Sequence, residues 1–84
     1  MTEDERYVGA DVLCAQYLDD LGMTEDALDY QQRRGLRAEL VRERALIRGA
    51  GKRKNLYKPS LAREVILDWL HRQTEERYAR GTPA

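Results

Sequence analysis

Phenylalanine is absent from this 84-residue chain, whose aromatic side chains are five tyrosines and Trp69, so a core has to be built mainly from Leu, Val, Ile and Ala. Cysteine occurs once, at Cys14, which excludes an intrachain disulfide and leaves packing alone to hold the fold, as suits a reducing compartment. Histidine also occurs once, at His71, and with Cys14 it falls short of a metal site of ordinary ligand number. No apolar run approaches the roughly 18 residues of a membrane span, and the N-terminus "MTEDERYVGADV" is acidic where a signal peptide is basic and then apolar. The expectation is a soluble, cytoplasmic protein of one domain with no membrane partner. Motifs of chemistry are missing too. There is no GxGxxG, no HExxH and no calcium-loop pattern, and "GAGKRKN" lacks the G-x-x-x-x-G-K-[ST] of a phosphate loop. No enzyme, catalytic residue or cofactor is expected.

The chain does carry charge, strongly segregated. Residues 1–30 hold nine acids against Arg6, a net of −8, and residues 31–63 hold eleven bases against Glu39 and Glu43, a net of +9. The formal net charge of zero conceals this, because a binding surface feels local potential rather than the total. The second half suits an anionic partner.

Hydrophobic spacing orders the elements. Ala10, Leu13, Cys14, Tyr17, Leu18 and Leu21 form one helical face from Val8 to Leu21, with Gly22 as its stop. Thr24 followed by Glu25 and Asp26 supplies an N-cap and first-turn acids for a second helix, which holds Ala27 and Leu28 and ends near Gly35. In "LRAELVRERALI", Leu36, Leu40 and Val41 keep helical spacing among arginines. "ALIRG" and "NLYK" then read as a hairpin whose tip is the glycine-containing segment between them, packing on the helices through Leu46, Ile47, Leu56 and Tyr57. Pro59 cannot continue a ladder, Ser60 can cap a final helix, and Leu61, Val65, Ile66, Trp69 and Leu70 define the apolar face of that helix. Residues 1–7 are expected as a flexible acidic arm, 8–77 as the domain and 78–84 as a frayed tail.

Three helices, a two-stranded hairpin and a helix give a mainly α fold with a small β-hairpin, the layout of a winged helix-turn-helix domain. "IRGAGKRKNLY" followed by "VILDW" resembles the wing and adjoining helix of the DNA-binding domain of lambda-like phage small terminase subunits, and of phage excisionases and regulators of the MerR-like winged type. The residues that carry the likeness are Arg48, Gly49, Gly51, Lys52, Leu56, Tyr57, Val65, Ile66 and Trp69. The resemblance implies binding of double-stranded DNA, in a role such as transcription regulation, excision or DNA packaging.

Candidate contacts are set by the chemistry of duplex recognition. Lys52, Arg53 and Lys54, three cations in a row at the wing tip, and the neighbouring Lys58 suit phosphate. Arg37, Arg42, Arg44 and Arg48 suit a recognition helix and its continuation, since a guanidinium can pair with guanine O6 and N7; the bland alternative is a surface helix balanced by Glu39 and Glu43. If the second helix is the reader, Arg33 and Arg34 join the interface and Gln31 and Gln32 become adenine readers. Tyr57 is divided between core and a phosphate contact, whereas Trp69 and Cys14 are expected in the core and His71 on the surface. The acidic first half reads as a solvated rear face, or as a docking face for a basic protein or a neighbouring copy on DNA. Two other function classes fit the same charges: a protein-interaction module such as a small inhibitor of a host protein, and a winged domain that binds RNA.

Overall fold

The structure is a computed structural model that describes residues 6–49 and 54–81. Helix α1 (Ala10–Val12) starts from the Gly9 carbonyl, which accepts from Leu13 N at 3.0 Å, and continues as a wider, π-type stretch (Leu13–Tyr17). In a regular α-helix, residues five apart point about 140° away from each other. The wider stretch, closed by Leu18 N donating to Leu13 O at 3.1 Å, brings Leu13 and Leu18 toward one side, and both are fully buried. The single helix expected over this region therefore breaks at Leu18 (φ −120°) and resumes as a 3₁₀ turn (Asp19–Leu21). Gly22, at φ 67°, ends it in the left-handed conformation.

Helix α2 (Glu25–Gln31) begins as its sequence signal predicts: Thr24 Oγ1 accepts from Ala27 N at 3.1 Å, and Glu25 and Asp26 face the positive end of the helix dipole. Its continuation (Gln32–Leu36) contains a kink at Gly35 (φ 132°, ψ −16°), from which α3 (Arg37–Arg42) departs. Leu28, Leu36 and Leu40 point inward from these helices and are buried. Arg44, at φ 63°, turns the chain out of α3, and Ala45 N closes the end on Leu40 O at 2.8 Å.

Strands β1 (Leu46–Ile47) and β2 (Leu56–Tyr57) pair antiparallel, Leu46 opposite Tyr57 and Ile47 opposite Leu56. Asn55 Oδ1 accepts from Gly49 N at 2.9 Å and so braces the base of the loop. The outer edge of β2 is occupied: Val8 and Tyr57 exchange two backbone hydrogen bonds, at 2.8 and 2.7 Å. Only half of the expected hairpin packing is present. Leu46 and Tyr57 are buried, whereas Ile47 and Leu56 face outward at 48% and 40% exposure, because paired positions alternate between the two faces of a sheet.

Helix α4 (Pro59–Gly81) opens one residue before the expected Ser60 cap: Ala62 N donates to Lys58 O at 2.8 Å, and Pro59, which has no N–H to satisfy, takes the first helical position. The helical backbone runs through Gly81. Ala62, Val65 and Ile66 seat α4 on the core, with Trp69 and Leu70 partly buried beside them. Arg63 ties α4 to the first segment through Tyr17 O at 2.6 Å and a two-pronged pair with Asp20 at 2.8 Å. The fold is mainly helical with one small antiparallel sheet, as expected from the sequence. Among the described residues, no helix is long and apolar enough to cross a membrane.

Candidate nucleic-acid interface

The kink at Gly35 brings the end of α2 and the outer side of α3 to a common surface, and Arg48 reaches it from the end of β1. Together they line an open depression of about 520 Å³ formed by Gln32, Arg33, Gly35, Arg37, Ala38, Val41, Arg42 and Arg48. Four guanidinium groups border it and no carboxylate does. Arg33 is exposed, with Nε 3.0 Å from Asp29 Oδ2 one turn back on α2. Arg37 is half-buried and fixed: Nε donates to Gln32 Oε1 at 3.0 Å, and Nη2 lies 3.5 Å from the other oxygen of Asp29. One carboxylate thus serves two arginines. Arg42 is exposed, and its nearest acid is Glu43 at 3.8 Å. Glu39, which the surface-helix alternative would use to balance these arginines, pairs with Arg72 of α4, which also holds Asp68 at 3.0 Å. That leaves the outer side of α3 with little negative charge of its own.

The remaining predicted contacts are distributed differently. Arg34 lies with its guanidinium 5.7 Å from the centre of the Tyr30 ring, a cation–π contact that holds an exposed cation against an exposed aromatic. Arg44 is exposed at the turn after α3. Lys54 is exposed but lines a second depression, with Asp11, Glu25 and Asn55, rather than the arginine-bordered one. Lys58 is half-buried, and its backbone N–H donates to Ala45 O at 2.8 Å. Lys52 and Arg53 lie outside the described residues.

Three of the residues considered as DNA contacts are engaged by hydrogen bonds within the fold. Tyr57 is 3% exposed and its hydroxyl accepts from Gln32 Nε2 at 2.8 Å, so of the two expected roles it fills the core one. Burial holds its hydroxyl above the ordinary tyrosine pKa, against the opposing effect of the Gln32 bond. Gln32 is itself 5% exposed, with both ends of its amide engaged by Tyr57 and Arg37. Gln31 accepts from Trp69 Nε1 at 2.9 Å, which turns its amide toward α4. Both glutamines are spent on aiming the helices, a use that no local spacing could reveal, since their partners lie 25 and 38 positions away. The Arg33–Asp29 pair, in contrast, stands at the i, i+4 spacing that is visible in the sequence itself.

Cys14 is buried, and desolvation, reinforced by Glu25 and Asp11, raises its thiol pKa. His71 is exposed beside Glu75 at 3.2 Å. Among the described residues, no group of three His, Cys, Asp or Glu side chains could hold a metal ion. No protein family, curated protein or solved structure matches the chain.

Proposed function

We propose that the chain binds double-stranded DNA as a winged helix-turn-helix protein, with the α2–α3 corner at the major groove and the hairpin against the phosphate backbone. The observation that carries this reading is the depression bordered by Arg33, Arg37, Arg42 and Arg48 with no carboxylate in its lining. A guanidinium cluster on a kinked helix pair can grip phosphate and present donors to guanine at once. The order of elements supports it: two helices joined at Gly35, then a hairpin whose second strand also pairs with Val8. Regulation, excision and recognition of a packaging site are the uses that the sequence resemblance implies.

Fluorescence anisotropy with a labelled random-sequence duplex at two salt concentrations tests the reading. Binding should weaken steeply with salt, and the double change Arg42→Ala with Arg48→Ala should flatten the slope of log K against log salt by about 1.8, the equivalent of two lost phosphate contacts. Changing Lys52, Arg53 and Lys54 together to alanine should weaken binding to all sequences with little effect on the melting temperature. No binding at low salt would overturn the proposal and direct the search to a protein partner.

A further inference from the structure

A surface that only grips phosphate has no use for exposed apolar side chains, yet α3 presents two of them among its arginines. Leu36 and Leu40 are fully buried. The opposite side of the same helix shows Ala38, which is exposed, and Val41, which is 41% exposed, one turn apart at i and i+3. Both line the depression together with Arg33, Arg37, Arg42 and Arg48.

Such an arrangement, a small methyl-bearing patch framed by guanidinium groups, has a specific complement in the major groove. Thymine is the base that exposes a carbon substituent there, its C5 methyl, and small apolar side chains recognise it by contact. Alanine and valine suit that role because they add methyl groups without a polar atom that would need its own partner. A protein ligand fits less well. Two small side chains fall far short of the roughly 800 Å² that a stable protein interface covers on each partner. The charge around them calls for a polyanion.

We infer that α3 is the base-reading helix and that its Ala38–Val41 face selects thymine by the C5 methyl, with the bordering arginines holding the adjacent phosphates and purine edges. The inference rests on the proposed binding of duplex DNA and adds to it a specificity and the residues that supply it. Arg37, held by Gln32 and Asp29, is the pre-oriented member of the frame.

The test is selection of bound sequences from a random duplex pool, followed by replacement of each thymine in the selected site with deoxyuridine, which deletes the methyl and leaves pairing intact. At one or two positions deoxyuridine should weaken binding about fourfold, the worth of one methyl removed from contact. In Val41→Ala the difference between thymine and deoxyuridine at those positions should shrink toward none, while the salt slope stays that of the parent. Selection without any thymine preference, deoxyuridine duplexes that bind like the parent at every position, or a Val41→Ala protein that still discriminates fully would each overturn the inference while leaving DNA binding intact. Absence of duplex binding from the start would remove both.

Discussion

Replacing Gly35 with alanine perturbs the one backbone position on which the α2–α3 geometry turns. At φ 132° and ψ −16° the residue occupies a region closed to side chains, and forcing alanine into it costs about 1–3 kcal/mol. The added Cβ would also meet Trp69 Cη2 at 3.0 Å and Cζ3 at 3.5 Å. The indole has little freedom to retreat, because Nε1 donates to Gln31 Oε1 at 2.9 Å and the Arg72 guanidinium lies 5.9 Å from the ring centre. Giving up the hydrogen bond adds about 1 kcal/mol, and the stiffer unfolded chain returns about 0.5 kcal/mol. The net destabilisation of about 1.5–3.5 kcal/mol is a large share of the roughly 4–13 kcal/mol expected for a domain of this length. In a thermal melt followed by circular dichroism, at about 4–8 °C per kcal/mol, the midpoint should fall by about 6–28 °C. Repeating the change in a Trp69→Leu background separates its two causes. There the steric component disappears and the backbone component stays, so alanine should cost less but still measurably. A fall below about 4 °C in the parent chain would refute the account of Gly35, and equal costs in both backgrounds would refute the part assigned to the indole.

The interior contacts lead to two further outcomes. Tyr57→Phe leaves Gln32 Nε2 without its 2.8 Å partner in the core and should lower stability to urea by about 1–3 kcal/mol, with the salt slope of DNA binding unchanged; an unaltered urea midpoint would count against the buried bond. Arg63 holds the Asp20 carboxyl below its ordinary pKa of 3.8, chiefly by hydrogen bonding, so the stability this pair contributes is present above that value and is lost as pH falls through the lowered one. The difference in melting temperature between the parent and Asp20→Asn should therefore close in acid, and a gap that persists unchanged into strong acid would refute the linkage.

Features that depend on a few neighbouring residues were legible in the sequence. Thr24 caps α2 where Thr, Glu and Asp stand in succession, Gly35 ends it, and the hairpin lies where apolar pairs flank a glycine-containing loop. What escaped depends on phase or distance. Strands of two residues are too short to show which member faces the core, so Ile47 and Leu56 could not be told from Leu46 and Tyr57. The break at Leu18 was hidden because the apolar ladder reads equally well through a regular helix. Arg33 and Arg42 were legible as exposed cations, but the spending of Gln31, Gln32 and Glu39 on Trp69, Tyr57 and Arg72 joins elements far apart in the chain.

The pairing of Val8 with Tyr57 bears on how the molecule assembles. Those two residues stand some fifty positions apart, against about eleven for Leu46 and Tyr57 across the hairpin, and loop closure over the longer span costs about 1.3 kcal/mol more. The hairpin and the helices can form from neighbours, whereas the N-terminal segment has to return across nearly the whole domain to find β2. On closure cost alone its pairing is expected to follow the local hairpin, and in the folded chain it covers the outer backbone edge of β2.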